Sequence, residues 1–135
     1  MQFMQQNAVY IFIALLIGWF LWQRVIGPKM SGVKSLSAAD YMQMRNQSHT
    51  LVDVRQQHEW DAVHAANAVH IPLGEIKERM HEIQKEKPVV VICASGGRSS
   101  MAATALANAG YEEVYNFSGG MGAWSSAGLP VRSRG

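Results

Sequence analysis

The chain is poor in cysteine, and its potential metal ligands are scattered. Cys93 is the single cysteine, so no intramolecular disulfide can form and a disulfide-stapled extracellular fold is excluded. A lone free thiol instead fits a reducing compartment. His58, His64 and His70 lie six residues apart, a spacing that does not place them on one helix face. The sequence therefore predicts no metal site, and nothing in it calls for a cofactor.

Positive charge is scarce in the central part of the 135-residue chain, whose length suits about one domain. Residues 36–131 contain seven Lys/Arg against ten Asp/Glu, a net charge of −3. The other basic residues flank this part, and they are Arg24, Lys29, Lys34, Arg132 and Arg134. A net-negative domain without a basic stripe argues against nucleic acid as a partner.

Charged side chains are absent from the first 23 residues, and residues 8–22 carry no strongly polar side chain either. A cleaved secretory signal has Lys or Arg before its apolar core and small residues at a cleavage site after it; neither is present. A helix packed on a partner would be striped, whereas this run is apolar all round. We therefore expect an uncleaved transmembrane helix. The expected boundaries are a tail at 1–7, the transmembrane helix at 8–26, a linker at 27–35, a folded domain at 36–131 and a basic tail at 132–135.

The flanks of this helix predict its orientation. Arg24, Lys29 and Lys34 follow the apolar run, and no charged side chain precedes it. By the positive-inside rule, the C-terminal domain lies in the cytoplasm. The expected location is therefore the cytoplasmic (inner) membrane, crossed once, with the domain facing the cytoplasm, where a reduced cysteine is also expected.

The rest of the chain alternates between short apolar strands and helices. Strands or extended pieces are predicted at 51–54, 68–71, 89–92 and 113–117. Helices are predicted at 37–46, from 58 to 60 onward, at 73–84, at 99–108 with Gly110 as its stop, and from 119–120 through Trp124. This alternation predicts an α/β fold with a mostly parallel central sheet.

Cys93 stands where the apolar run Val89–Ile92 ends and the segment Ala94-Ser95-Gly96-Gly97-Arg98-Ser99 begins. A helical pattern follows at once, so the sulfur lies at the carboxyl end of a buried strand, against a helix N-terminus and among backbone N–H groups. These groups stabilise a thiolate. Packing as a small hydrophobic residue is the alternative for a cysteine here, but it does not explain a Gly-Gly-Arg loop directly after the sulfur. We therefore predict a reactive cysteine.

The motifs taken together resemble the rhodanese-like family of single-domain sulfurtransferases. They occur in the family's order across residues 36–131, and the N-terminal helix resembles that of membrane-tethered bacterial members. They are Leu51-Val52-Asp53-Val54-Arg55, Glu59-Trp60, His64, Ile71-Pro72, the loop Cys93–Ser99, Gly119-Gly120, Trp124 and Ala127-Gly128-Leu129-Pro130-Val131. Two glycines that form turns in the family are missing near His64. The resemblance therefore does not predict the backbone path of the loop around His64.

The resemblance implies a three-layer domain that transfers sulfane sulfur from thiosulfate, polysulfide or a persulfide to a thiol or cyanide. Cys93 would carry the sulfur as a persulfide. The amides of Ala94, Ser95, Gly96, Gly97, Arg98 and Ser99 would stabilise it, with Arg98 also binding an anionic donor. Positive φ angles are expected at Gly96 and Gly97. Structural support is expected from an Asp53–Arg55 ion pair and from His64. The implied partners are small sulfur donors and thiol acceptors; a membrane or sulfur-relay protein stays open.

Two other functions remain as alternatives. Cysteine-type phosphatases and arsenate reductases have one more residue between cysteine and arginine than the four found here, and the tighter loop suits a sulfur atom better than a tetrahedral oxyanion. A membrane-tethered binding or sulfur-sensing module with little turnover is the second alternative. Many such modules lack the cysteine, whereas this chain retains Cys93.

Overall fold

The computed structural model describes residues 2–133, with side chains described at 5–22 and 32–133. Arg134 and the side chains of Arg24 and Lys29 therefore lie outside the described part. The chain forms two compact units, divided between Ser31 and Gly32. The first unit is one helix, α1 (Gln2–Ser31), and the second contains every strand of the described residues.

The segment predicted as a linker, residues 27–35, is regular in the structure. Helix α1 continues through it to Ser31, and Gly32 follows with a φ of 28°. Strand β1 then occupies Val33–Leu36, where it pairs with a later strand. The glycines and proline suggested an irregular segment, but the edge of the sheet provides backbone partners that no local pattern reveals. The compact domain thus begins before residue 36.

The domain is built on a parallel five-stranded sheet in the order β1–β6–β5–β2–β4. Besides β1, its strands are β2 (Thr50–Asp53), β4 (Val69–His70), β5 (Val89–Ile92) and β6 (Val114–Phe117). A separate antiparallel pair joins β3 (His64–Ala65) to β7 (Val131–Arg132), so Arg132 belongs to a strand rather than to a free tail. All four residues of β5 are buried, as expected of a central parallel strand.

Short helices cover both faces of the sheet. They are α2 (Ala38–Met44), α3 (Gln57–Ala62), α4 (Ile76–Arg79), α5 (Gly97–Asn108) and α6 (Gly120–Ser126). Ser37 caps α2 as predicted, because its hydroxyl accepts a hydrogen bond from the Asp40 amide at 3.1 Å. The predicted helix at 73–84 was wrong as a single element, since α4 is flanked by 3-10 turns at Leu73–Glu75 and Met80–Glu82. The Tyr111 hydroxyl bonds the carbonyl oxygens of Met80 and Ile83 and holds this segment in its broken form.

Two hydrophobic clusters confirm the layered α/β arrangement. Alternate residues of β5 face opposite sides of the sheet, with Val89 and Val91 in one cluster and Val90 and Ile92 in the other. Residues of α4 and α5 cover the first side, and residues of α2 and α6 cover the second. Cys93 belongs to the first cluster, directly beyond the carboxyl end of the central strand. The fold therefore places the sulfur at the edge where parallel α/β sheets bind ligands.

Candidate active site

The sulfur of Cys93 lies inside a short loop between β5 and α5. Its Sγ accepts a hydrogen bond from the Gly96 amide at 3.0 Å and lies 3.3 Å from the Ser99 hydroxyl oxygen. Burial raises the pKa of the Cys93 thiol, but the hydrogen bond between the sulfur and the Ser99 hydroxyl, together with bonds from the amides of Ser99, Ser95 and Gly96, outweighs it. The pKa is therefore below its ordinary value, and the site favours the thiolate.

The loop takes its shape from one of its own glycines and from a second glycine that faces it. Gly96 has a φ of +102°, and a Cβ there would lie 2.5 Å from the carbonyl oxygen of Ser118. Gly120 has a φ of +62°, and its Cβ would lie 2.2 Å from the carbonyl oxygen of Ala94. Gly97 differs from the expectation, because it begins α5 without a positive φ and has open space at the Cβ position. Gly96 and Gly120 therefore allow the close backbone packing, and Gly97 does not take part in it.

Arg98 does not stand free to receive an anion. Its guanidinium forms a bidentate ion pair with the carboxylate of Glu59 in α3. The Nη1–Oε1 and Nη2–Oε2 distances are 2.6 and 2.9 Å. Both side chains are about a third exposed or less, at 34% for Arg98 and 22% for Glu59. Chiefly through the hydrogen bonds from Arg98, the pKa of Glu59 falls to about 2, so the pair is charged at neutral pH. The sequence pointed to Arg98, but it gave Glu59 no role at the site.

Asp53 and Arg55 form a buried ion pair where β2 ends. Arg55 Nε lies 3.0 Å from each carboxylate oxygen, and the Arg55 amide donates to the same carboxylate at 2.9 Å. The guanidinium also donates to the carbonyl oxygen of Val63, which precedes β3. Asp53 is 0% exposed and Arg55 4%. The pair therefore joins the end of β2 to the segment that follows α3.

His64 contacts α3 rather than the Cys93 loop. Its Nδ1–H donates to the carbonyl oxygen of Trp60 at 2.8 Å, and its ring stacks on the Trp60 indole with centroids 3.6 Å apart. His70 stacks on the same indole at 4.8 Å and donates to the carbonyl oxygen of Arg55 at 2.7 Å. Any support that His64 gives the site is therefore indirect, through the helix that carries Glu59.

Asn116 of β6 completes the surroundings of the loop, and the sequence analysis missed it. Its Oδ1 accepts a hydrogen bond from the Ser99 hydroxyl, and its Nδ2 donates to the carbonyl oxygen of Gly96 at 3.3 Å. It thus positions Gly96 and Ser99, two of the residues that contact the Cys93 sulfur. The one available signal was a polar residue within the otherwise apolar strand β6.

Three comparisons place this arrangement among known proteins. Residues 37–127 match the rhodanese-like domain family. The thiosulfate sulfurtransferase GlpE of Vibrio cholerae is 38% identical over 98 residues, which cover 73% of this chain and 92% of that protein. The uncharacterized protein YqhL of Bacillus subtilis is 33% identical over 113 residues, 84% of each chain. A crystal structure of a rhodanese-related protein from Thermoplasma volcanium matches with a TM-score of 0.67 at 33% identity, covering 73% of this chain and 97% of that one.

The family match spans most of the domain and includes α2, the central strand and the whole Cys93 loop. The matched residues contain four of the five strands of the parallel sheet and the cysteine that follows its central strand. The chain therefore belongs to the rhodanese-like domain family and is a sulfurtransferase of the rhodanese type.

Proposed function

We propose that this protein is a membrane-anchored sulfurtransferase that moves sulfane sulfur from a small donor to a thiol or cyanide through a persulfide on Cys93. The observation that carries the proposal is the Cys93 sulfur itself, held by the Gly96 amide at 3.0 Å beside the Ser99 hydroxyl. Thiosulfate as a donor is supported by the activity named for GlpE of Vibrio cholerae, and polysulfides and persulfides are proposed because they carry the same transferable sulfane sulfur.

The reaction consists of two displacements at sulfur. The Cys93 thiolate attacks the outer sulfur of the donor, the donor's S–S bond breaks, and its electron pair leaves with sulfite or with the donor thiolate. An acceptor thiolate or cyanide then attacks the terminal sulfur of the persulfide and releases the Cys93 thiolate. Splitting the transfer into two steps is covalent catalysis and gives ping-pong kinetics.

The loop residues 94–99 stabilise the terminal sulfur of the persulfide in this proposal. The amides of Ser95, Gly96 and Ser99 hydrogen-bond to the Cys93 sulfur, and in the persulfide the loop amides would act on the negative charge as an oxyanion hole acts on oxygen. Ala94, Ser95, Gly96, Gly97, Arg98 and Ser99 form this proposed binding set, and Asp53, Arg55 and His64 support it. A phosphatase is disfavoured, because Glu59 lies against Arg98 and would repel a phosphate dianion.

A binding or sulfur-sensing module with little turnover is the second candidate function. Two observations favour it: Cys93 is fully buried, and the arginine of the loop is already paired. A donor must enter the loop to reach the sulfur, and a slow entry limits turnover. The two candidates share the Cys93 persulfide and differ in whether acceptors remove its sulfur quickly.

Loading of the sulfur distinguishes these functions. The full chain, purified in a neutral detergent, is mixed with thiosulfate or polysulfide and examined by intact-mass spectrometry. If the protein is a sulfurtransferase, the wild type gains the mass of one sulfur atom and the Cys93→Ser variant does not. Cyanide or a thiol then removes this sulfur from the wild type within the turnover time. A stable adduct favours the sensing module. A folded wild-type chain that no donor loads contradicts the persulfide mechanism altogether.

Helix α1 is the proposed membrane anchor. Residues 5–22 are apolar enough to cross a bilayer, and their large side chains are exposed. The helix has 30 residues and is about 45 Å long, which exceeds a hydrocarbon core of about 30 Å. By the positive-inside rule, Arg24, Lys29 and Lys34 favour a domain on the cytoplasmic side. In spheroplasts, a C-terminal tag on this protein should resist added protease until the cells are lysed. If α1 were instead a cleaved signal sequence, the chain would be shortened and would not remain with the membrane.

A further inference from the structure

We propose that Glu59 determines donor specificity by occupying Arg98, so that the site favours singly charged donors such as thiosulfonates and thiol persulfides over dianionic thiosulfate. This inference rests on the proposed function, because it assumes that Cys93 accepts sulfur. It assigns to Glu59 a role that the loop sequence alone does not reveal.

The carboxylate of Glu59 is fixed from two sides. Its oxygens accept hydrogen bonds from both terminal nitrogens of Arg98, at 2.6 and 2.9 Å, which is the strong bidentate geometry of a guanidinium–carboxylate pair. Oε1 also accepts from the Gln56 amide at 3.0 Å, as part of the capping box that starts α3. An incoming anion therefore meets a guanidinium whose charge is already compensated by a well-held carboxylate.

Among the described residues of the loop and of helix α3, a dianion finds no cation other than the already paired Arg98. Loop residues 94–97 are uncharged, and Arg98 is the one guanidinium in the loop and in the helix α3 that faces it. Asp53 and Arg55 are buried and neutralise each other. Besides Glu59, helix α3 carries a second acidic residue, Asp61. His58 is the one other titratable residue of this helix. A thiolate nucleophile adds further repulsion, which increases with each negative charge on the donor.

Thiosulfate and methanethiosulfonate form a matched pair of donors for this inference. Both present an outer sulfur bonded to an oxidised sulfur, and a methyl group in the second replaces one charged oxygen of the first. Attack by Cys93 breaks the S–S bond of either donor, and the electron pair leaves with sulfite or with methanesulfinate. The two donors thus share the reaction and differ by one negative charge.

The test measures kcat/KM of the full chain with both donors and a common thiol acceptor. Glu59→Gln keeps an oxygen that can accept from the Gln56 amide, so helix α3 should still begin correctly. We expect this variant to raise the thiosulfate-to-thiosulfonate ratio of kcat/KM roughly tenfold, the factor equivalent to one screened charge interaction. The double variant Glu59→Gln/Arg98→Gln should return the ratio to the wild-type level, because the gain acts through Arg98.

Asp61→Asn is the matched control, since it removes the same charge from the same helix and alters neither partner of the two Arg98–Glu59 hydrogen bonds. A ratio unchanged in Glu59→Gln, or raised equally by Asp61→Asn, overturns the inference. Glu59→Asp is a second test should the glutamine variant fold poorly: it keeps the charge, loosens the pair, and should give an intermediate ratio. Intact mass separates the two proposals, because a wild type that neither donor loads overturns the sulfurtransferase mechanism itself.

Discussion

The Met121 amide donates a hydrogen bond to the carbonyl oxygen of Cys93 at 2.9 Å. This bond joins the first turn of α6 to the last residue before the catalytic loop. Gly120, the residue before Met121, packs against the same segment: a Cβ there would lie 2.2 Å from the carbonyl oxygen of Ala94 and 2.8 Å from that of Cys93. Gly120, 27 residues beyond Cys93 in the sequence, thus serves the active-site loop, whereas Gly119 packs against Ala123 of its own helix.

Gly120→Ala should therefore disturb the site and destabilise the fold. The added Cβ would lie 2.2 Å from the carbonyl oxygen of Ala94, in a backbone conformation of φ +62° that alanine rarely adopts. We expect a loss of about 2–4 kcal/mol in the free energy of unfolding, measured by chemical denaturation, together with slower sulfur loading of Cys93.

Gly122→Ala is the control for this prediction. Gly122 lies in the same helix, and a Cβ there meets nothing within 4 Å. The helix preference of alanine should raise stability by about 0.5–1 kcal/mol. Equal losses in the two variants would show that α6 tolerates no added methyl group, and the close approach at Gly120 would then not be the cause.

Asp53→Asn should be among the most damaging single substitutions outside the loop. It leaves the Arg55 guanidinium charged and nearly unexposed, without its carboxylate partner. Breaking a buried ion pair in this way costs about 3–5 kcal/mol. The exposed pair of Arg79 with Glu75 supplies the control, because Glu75→Gln should change the free energy of unfolding by less than about 1 kcal/mol. Comparable losses would argue against the structural role of the buried pair.

The parts of the site that are contiguous in sequence could be predicted, and the parts brought together by folding could not. The run Val89–Ile92, the turn after Cys93 and the helix that follows all carry local patterns of burial and capping. Glu59 and Asn116 reach the loop from 39 and 17 residues away, and only tertiary packing brings them there. The β3–β7 pair was missed for a similar reason, since two-residue strands show no periodicity.

The Arg98–Glu59 pair should contribute stability that depends on pH. The pKa of Glu59 is lowered from 4.5 to about 2 in the folded chain, so its carboxylate is favoured by folding. The stabilisation is fully present above about pH 4.5 and is lost as the pH falls toward 2. The difference in unfolding free energy between wild type and Glu59→Gln should stay constant at neutral pH and shrink across this window.

Arg98→Gln provides an independent check on that profile. It removes the other half of the pair, so its difference from wild type should shrink over the same pH range. A difference that persists unchanged down to pH 2 would mean that the pair does not set the pKa of Glu59.

Ser99→Ala should raise the pH at which Cys93 becomes reactive. The Ser99 hydroxyl lies 3.3 Å from the sulfur and is among the groups that lower the pKa of the thiol against the effect of burial. Without this hydroxyl, a smaller fraction of Cys93 is present as thiolate at neutral pH. The rate of sulfur loading at neutral pH should therefore fall roughly fivefold, which is the factor that corresponds to one hydrogen bond of about 1 kcal/mol. The rate should recover at high pH, where the thiol ionises in both proteins. Ser100→Ala, which alters the exposed neighbouring serine, should leave the pH profile in place. A Ser99→Ala profile that drops by the same factor at every pH would instead indicate that Ser99 shapes the loop without tuning the thiol.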